Sequence, residues 1–169
     1  VRAFAEIYNP TLAIEVLKEL KNTYPKAILC MIGPDKDGTL ADVQDLISTH
    51  GLDKSVEITG VLAQKEWHKK SKAFDIFINT TNIDNTPVSV IEAMALGLPV
   101  VSTNVGGLPY LIQHNKDGVL VEKNNPSEMT TEICKILEEN KYSLAINARK
   151  KVENFDWNIV QSKWIQLLE

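Results

Sequence analysis

The sequence lacks most of the residues and motifs that mark the specialised classes of protein. It has only two cysteines, Cys30 and Cys134, and no CxxC pair, so we expect neither a disulfide framework nor a cysteine-based zinc site. Its three histidines, His50, His68 and His114, stand singly, which is not a metal-binding pattern. No apolar run approaches the roughly 18 residues of a membrane span. The glycine motifs of dinucleotide-binding dehydrogenases and of α/β-hydrolases are also missing.

An excess of charge of one sign is missing as well. Lys and Arg number 18 and Asp and Glu number 22, which gives a net charge of −4. This balance does not favour binding to nucleic acid or to an anionic membrane. No basic, apolar leader precedes the first helix, and the two thiols fit burial in a reducing compartment. We therefore expect a cytoplasmic protein without a nucleic-acid partner.

What the sequence does contain is a regular alternation of short apolar runs and helical patterns. The predicted strands are Val1–Phe4, Ala27–Ile32, Ser55–Thr59, Asp75–Asn79, Val100–Thr103 and Gly118–Val121. Between them, apolar residues recur at helical spacing. Unbroken apolar strands joined by helices are typical of parallel sheets that are covered on both faces. The sequence predicts one α/β domain, a Rossmann-like doubly wound parallel sheet of about six strands in the order 3-2-1-4-5-6 with helices on both faces.

A ligand site is expected at the carboxyl edge of this sheet, between the first and fourth strands, where the strand order reverses. The topology brings Arg2, in the first strand, near the loop 80–87 that follows the fourth strand. Thr86 and Pro87 predict the N-cap and first residue of a helix over Pro87–Leu96, whose free N–H groups and dipole suit a diphosphate. Arg2 either clamps that phosphate or forms a surface ion pair.

Two further features belong to the same edge. Glu92 is the only ionisable residue of the apolar helix, and a carboxylate buried there needs partners. Those partners are either a protein cation or backbone donors, or hydroxyl groups of a ligand such as a ribose. The adjacent glycines Gly106 and Gly107 follow the fifth strand and permit the backbone to approach a ligand closely or to take a positive φ.

The stretch from Asp84 to Pro109 resembles the nucleotide-sugar signature of the group 1 (family 4) glycosyltransferases. It has two acidic residues, Asp84 and Glu92, followed by A-M-A-L-G-L-P-V-V and then N-V-G-G-L-P. Segments 2–10, 25–33, 58–61 and 74–79 fall in the family's order, so the resemblance covers essentially the whole chain. These enzymes have the GT-B architecture of two Rossmann-like domains. The resemblance implies that residues 1–169 are the single C-terminal, donor-binding domain of a larger enzyme whose N-terminal domain is absent from the sequence.

The resemblance also implies roles for single residues. Asp84 lies near the donor sugar and is the catalytic candidate, Glu92 binds the ribose, and Arg2 binds the diphosphate. The other residues implied to contact the nucleotide-sugar are Gly60, Val61, Asn85, Thr86, Pro87, Val88, Gly106 and Gly107.

The activity implied by the resemblance is retaining transfer of a hexosyl group from a nucleotide diphosphate-sugar to an acceptor, as in polysaccharide biosynthesis. Arg2 and the helix N-terminus stabilise the negative charge of the diphosphate, so we expect no metal and no other cofactor. The donor is the implied partner, together with the absent domain of the same enzyme, and this chain alone is expected to be inactive. The implied location is the cytoplasm, up to the inner face of the membrane, with membrane contact only through the absent domain.

The sequence departs from the family pattern at several positions. Asp84 stands where many members carry Glu, Tyr110 stands where an acidic residue is common, and segment 6–9 lacks the Lys that most members carry after the arginine. Two alternatives remain open. One is a non-catalytic nucleotide-binding or protein-interaction α/β module, and the other is one half of a sugar-nucleotide epimerase.

The end of the chain predicts an amphipathic helix. Its apolar stripe consists of Trp157, Val160, Trp164, Leu167 and Leu168. We expect this stripe to cover the core. The resemblance offers another arrangement, in which the terminal helix crosses to the N-terminal domain and leaves Trp157 or Trp164 exposed in this chain.

Overall fold

The computed structural model describes residues 1–139 and 142–168 of the chain. Its strands are β1 (Leu29–Met31), β2 (Val56–Ile58), β3 (Phe77–Asn79), β4 (Val100–Thr103) and β5 (Val119–Val121). Its α-helices are α1 (Pro10–Leu20), α2 (Thr39–Thr49), α3 (Gln64–Ser71), α4 (Val88–Ala95), α5 (Leu108–Leu111), α6 (Pro126–Glu138), α7 (Tyr142–Val152) and α8 (Trp157–Leu168). Two 3-10 turns lie at Glu6–Tyr8 and Glu153–Phe155.

The strands form two parallel sheets where one was predicted, and the pairing within each sheet agrees with the predicted order. β1 pairs with β2, and β4 lies between β3 and β5. The N-terminal segment runs along β1, because the Arg2 and Phe4 N–H groups donate to the carbonyls of Ile32 and Pro34, both at 2.8 Å. Phe4 also forms an isolated parallel bridge with Asp35. The α/β fold is confirmed, with five strands and one bridged segment where six strands were predicted.

Helices cover both faces of the β3–β5 sheet, which explains the unbroken apolar strands. All four residues of β4 are buried, and successive side chains point to opposite faces. Val100 packs into the cluster that contains Met94 of α4, whereas Val101 packs into the cluster that contains Val16 of α1 and Met129 of α6. A polar side chain at position 100 or 101 would therefore be buried out of contact with water.

Prolines stand at or just before the start of two helices. α1 begins at Pro10, directly after Asn9. The prediction of Thr86 as N-cap and Pro87 as first residue is wrong by one position, because α4 begins at Val88. Pro87 has a ψ of 115°, which is extended, and its carbonyl accepts the N–H of Val90 at 3.0 Å. Proline fixes φ but leaves ψ free, so its ring permits either position.

The C-terminal stripe does not cover the core. None of the residues of α8 is buried, and Trp157, Trp164 and Leu168 are 66%, 57% and 81% exposed. The expectation of core cover is therefore wrong, and the apolar face of α8 has no partner among the described residues. Helical periodicity identifies an apolar face but not what it packs against, which is why the sequence did not exclude this outcome. None of the described helices, α8 included, has the length and apolarity to cross a membrane.

The two cysteines, Cys30 and Cys134, are free and half-buried in the structure. Burial raises the pKa of the Cys30 thiol and of the Cys134 thiol above the ordinary value. Both sulfurs are therefore protonated, unreactive thiols at neutral pH.

Asp117 joins the end of α5 to α7, and its loss is expected to destabilise the domain. The buried carboxylate accepts the N–H of Gln113 at 2.7 Å and the ammonium of Lys151 at 2.7 Å. Asp117→Ala leaves both donors unpaired, so we expect a loss of about 2–3 kcal/mol of unfolding free energy in urea titrations. Glu153→Ala removes an exposed partner of Arg149 and serves as the control, with an expected loss below about 0.5 kcal/mol. Equal losses would contradict this role of Asp117.

Candidate functional site

Arg2 and Asp84 meet at the carboxyl edge of the sheet, as the topology predicted. A terminal nitrogen of the Arg2 guanidinium donates to Oδ2 of Asp84, and the two side chains are 29% and 11% exposed. The guanidinium carbon also lies 4.3 Å from the ring centroid of Tyr8, in a cation–π contact. The arginine is thus held between a carboxylate and an aromatic face, with both contacts partly removed from water.

The glycine pair Gly106–Gly107 packs against the backbone of the Asp84 loop. The N–H of Gly107 donates to the Asp84 carbonyl at 2.8 Å. A Cβ atom on Gly106 would collide with that carbonyl oxygen, and one on Gly107 would collide with the carbonyl oxygen of Asn85. Gly106 has a φ of 54°, which confirms the predicted positive φ, and the close neighbour of the glycine pair is the protein's own backbone. The two glycines therefore pack directly against the backbone of the loop that carries Asp84 and Asn85.

The carboxylate of Asp84 is fixed in orientation by two different donors. Its Oδ1 accepts the N–H of Asn85 at 2.9 Å, and its Oδ2 takes the guanidinium of Arg2. Asn85 and Thr86 are exposed, whereas Pro87 is buried. The loop therefore turns its polar side outward and anchors itself through the proline.

The N-terminus of α4 opens onto this loop. The N–H groups of Val90 and Ile91 bond to the Pro87 carbonyl, so those of Val88 and Ser89 point off the helix end. Val88 is exposed, whereas Ser89 is buried, and its hydroxyl has no hydrogen-bond partner among the described residues. Ser89 lines a cavity of about 70 Å³ together with Arg2, Asn79 and Thr80.

Unsatisfied polar atoms are concentrated here. Within residues 1–139 and 142–168, three buried side-chain atoms lack a hydrogen-bond partner: Nε of Arg2, Oγ of Ser89 and Nε2 of His68. Buried polar groups are nearly always satisfied in folded proteins, so each exception calls for an explanation. Arg2 and Ser89 line one cavity, and His68 lies beside Glu92.

Glu92 lies one turn into α4 and faces α3. Its Oε1 accepts a hydrogen bond from the side-chain amide of Gln64 and lies 3.8 Å from Nε2 of His68. The sequence left two kinds of partner open for Glu92, protein cations or backbone donors on one side and ligand hydroxyls on the other. The structure shows a third kind, a neutral side-chain amide. The second protein group, His68, is too far away for a direct hydrogen bond.

Gly60 and Val61 form the loop that leads from β2 into α3. The carbonyl of Gly60 accepts the N–H of Gly33 at 2.9 Å, which ties this loop to the one that follows β1. Gly60 has a φ of 70°, and Val61 is exposed. The N–H of Ala63 is capped by Glu66 at 2.8 Å, which sets the start of α3 and hence the position of Gln64. The loop lies at the same carboxyl edge as the other predicted residues.

A polar hollow adjoins the site, on the side of α1 and α2. Its walls carry Glu6, Asn9, Asp37, Asp42, Asn82 and Asn124. The hydroxyl of Thr39 and the N–H of Glu6 hold the pKa of the Asp37 carboxyl below its usual range. This side of the carboxyl edge is therefore acidic, in contrast to the Arg2 side.

Four residues of the site escaped the sequence reasoning: Tyr8, Gln64, His68 and Ser89. Gln64 and His68 are four positions apart in a predicted helix, which places them on one face. From this spacing, the sequence could have indicated that the two side chains act together. Tyr8 stands in the stretch where the family's lysine was expected, and only the fold shows that its ring stacks on Arg2. No group of His, Cys, Asp and Glu side chains among the described residues is arranged to hold a metal ion.

Solved structures share this fold over nearly the whole chain. HepE of Anabaena, in complex with UDP, superposes with a TM-score of 0.89 at 20% identity, over 99% of this chain and 46% of that one. The C-terminal domain of LpcC from Francisella tularensis, described as a glycosyl transferase group 1 family protein, superposes with a TM-score of 0.79 at 22% identity. That match covers 92% of this chain and 82% of the domain. At such identities the likeness establishes the fold.

Curated relatives match over a part of their length. The sulfoquinovosyl transferase of Arabidopsis thaliana is 28% identical over 156 residues, which are 89% of this chain and 29% of that protein. The amylovoran biosynthesis glycosyltransferase of Erwinia amylovora is 29% identical over 138 residues, which are 76% of this chain and 34% of that protein. The chain thus spans about a third of the length of these relatives.

The family itself follows from a match across most of the sequence. The model that describes glycosyl transferases group 1 matches residues 1–153, which include the Arg2–Asp84 pair, the Glu92 helix and the Gly106–Gly107 turn. This confirms the resemblance drawn from the signature at residues 84–109. The chain belongs to the group 1 glycosyl transferases.

Proposed function

We propose that this chain binds the nucleoside diphosphate of a sugar donor, as the donor half of a retaining, hexosyltransferase-type glycosyltransferase. The observation that carries the proposal is the gathering of unsatisfied polar atoms at the carboxyl edge. Arg2 and Ser89, whose Nε and Oγ atoms have no hydrogen-bond partner among the described residues, both line one cavity, and Ser89 belongs to the first turn of α4. Unpaired donors, a guanidinium and a positive helix end are together the groups that bind phosphate oxygens.

The same groups serve the reaction. Negative charge grows on the diphosphate as it leaves the sugar, and donors that are already in position stabilise that charge. In the proposal, Arg2 and the N–H groups of Val88 and Ser89 take this role, and the orientation of Asp84 by Asn85 holds its carboxylate toward the sugar. Glu92 binds the ribose. Because Arg2 and the N–H groups of Val88 and Ser89 stabilise the charge of the diphosphate, the proposal needs no metal and no other cofactor.

Known relatives favour a uridine nucleotide as the first ligand to test. HepE of Anabaena has been solved with UDP, with UDP and glucose, and with UDP-glucose. The curated relatives include proteins named for amylovoran and colanic acid biosynthesis. These names support a role in polysaccharide biosynthesis, which we propose takes place in the cytoplasm up to the inner face of the membrane.

The proposal assigns acceptor binding to a further domain. HepE is about twice as long as this chain, which covers 46% of it. We therefore propose that the complete enzyme binds its acceptor, and makes any membrane contact, outside residues 1–169, and that this chain alone does not transfer sugar.

Calorimetric titration of the chain with UDP, GDP and ADP tests the proposal directly. We expect one nucleoside diphosphate to bind with a dissociation constant below about 1 mM, which corresponds to about 4 kcal/mol. Incubation with the matching nucleotide-sugar and candidate acceptors is expected to give no transfer product. The absence of binding by all three nucleotides at millimolar concentration would overturn the proposal and favour a non-catalytic interaction module.

A further inference from the structure

The surroundings of Glu92 contain an imidazole whose hydrogen-bonding capacity is unused. Nε2 of His68 is buried and has no hydrogen-bond partner among the described residues. It lies 3.8 Å from Oε1 of Glu92. Hydrogen bonds between nitrogen and oxygen span about 2.7–3.2 Å, so the two atoms are neighbours without being bonded.

His68 is held in this place by α3 and not by Glu92. Gln64 and His68 are four residues apart and lie on the same side of the helix, and Gln64 binds the same oxygen of Glu92. The neighbouring Trp67 is buried and anchors α3 in the core, and its ring meets the imidazole edge-on at 4.9 Å. His68 and Gln64 on α3 therefore both face Glu92 on α4.

His68 and Glu92 have the hydrogen-bonding chemistry to share one hydroxyl group. An oxygen about 2.8 Å from each atom forms a triangle with the 3.8 Å separation as its base. A hydroxyl has one donor and two acceptor sites, so it can donate to the Glu92 carboxylate and accept from an Nε2–H of His68. Such a hydroxyl satisfies the imidazole nitrogen, which has no hydrogen-bond partner among the described residues.

We propose that His68 is a further binding residue for the pentose of the nucleotide, and that His68 and Glu92 together bind one ribose hydroxyl. This inference rests on the proposed function, since it assumes that Glu92 faces the ribose. It makes His68 a determinant of specificity for ribonucleotides. A deoxynucleotide that lacks this hydroxyl leaves Nε2 of His68 without a hydrogen-bond partner and Glu92 with Gln64 alone, and a polar group left without its partner is how binding sites reject such analogues.

Titrations with UDP, 2′-deoxy-UDP and 3′-deoxy-UDP test the role of His68. We expect the chain to bind one of the two deoxy analogues about tenfold or more weakly than UDP. His68→Ala is expected to weaken UDP binding by about fivefold and to reduce the penalty for that analogue to about twofold. His68→Gln keeps a donor near the position of Nε2, and is expected to restore most of the discrimination.

A matched control comes from the second half-buried histidine. His50 lies at the end of α2, and its Nε2 is already satisfied by Glu15 at 2.7 Å. His50→Ala is expected to leave the ratio of UDP to deoxy-UDP binding unchanged. Thermal unfolding of each variant shows whether it is folded, and the affinity ratio is independent of the fraction of folded protein.

The outcomes separate this inference from the proposed function. If the chain binds UDP and His68→Ala discriminates against both deoxy analogues as the unmodified chain does, the role of His68 is overturned and nucleotide binding stands. The same holds if the unmodified chain binds both analogues as tightly as UDP. If the unmodified chain binds no nucleoside diphosphate, the proposed function itself fails.

Discussion

Gly106→Ala is expected to destabilise the domain and to weaken nucleotide binding severely. The added Cβ collides with the carbonyl oxygen of Asp84 and lies 3.0 Å from its carbonyl carbon, and both atoms are backbone that cannot rotate away. The left-handed φ of 54° adds strain for any residue with a side chain. We expect a loss of about 2–4 kcal/mol in unfolding free energy, because overpacking adds to the strain. The Asp84 loop leads into α4, so moving it also displaces the N–H groups of Val88 and Ser89 that the proposal assigns to the diphosphate, and UDP affinity should fall at least about tenfold.

Gly51 provides a control that separates the two causes. It has a similar φ of 63°, but no heavy atom lies within 4 Å of the position of its Cβ. Gly51→Ala therefore has the strain without the collision, and we expect it to cost about 1 kcal/mol and leave UDP affinity unchanged. Urea unfolding and calorimetric titration measure both effects. If the two alanine variants lose equal stability, the close packing of Gly106 against Asp84 is not what constrains this position.

Arg2→Ala is expected to produce the largest loss of nucleotide affinity without unfolding the chain. The guanidinium supplies charge-assisted hydrogen bonds to the diphosphate in the proposed complex, so its removal should weaken UDP binding about 10–100-fold. Arg2→Lys should recover little of this, because an ammonium lacks the planar fork that stacks on Tyr8. Arg149→Ala is the control, since Arg149 is exposed and binds the Ala95 carbonyl at the opposite end of α4.

Asp84→Asn is expected to act in the opposite direction on the same binding step. In the structure Asp84 neutralises Arg2, so a diphosphate must compete with this carboxylate for the guanidinium. Removing the negative charge should strengthen UDP binding by about threefold or more, corresponding to a modest ion pair in partial contact with water. UDP binding that is weakened by Asp84→Asn would show that the pair positions Arg2 for the ligand and does not compete with it.

Much of the site followed from the order of the elements. Parallel strands bring their carboxyl ends to one edge, so the placement of Arg2 near the Asp84 loop required only the predicted strand order. The proximity of Gly106 and Gly107 to that edge came from the same reasoning. Their partner did not, because a glycine pair in a sequence permits a close approach without saying to what, and only the packed structure identifies the Asp84–Asn85 backbone.

The errors have equally specific causes. The start of α4 moved from Pro87 to Val88 because proline restricts φ and not ψ. The apolar face of α8 was expected in the core, and it is exposed because the described part of the chain already buries both faces of β4 with α1, α4 and α6. His68 and Tyr8 were overlooked because each becomes informative only through a neighbour that is distant in sequence, Glu92 in one case and Arg2 in the other.

The sequence by itself determined the alternation of strands and helices, the parallel sheet, the carboxyl-edge location of the site and the family, because these depend on periodicity and on residues that are local in sequence. The tertiary structure alone decided which charges pair and which polar atoms remain unsatisfied. Arg2 and Asp84 are 82 positions apart, and His68 on α3 comes within 3.8 Å of Glu92 on α4 only in the folded chain. Such contacts depend on the distances between helices and strands in the folded chain. The residue pattern of a single helix or strand contains no information about those distances.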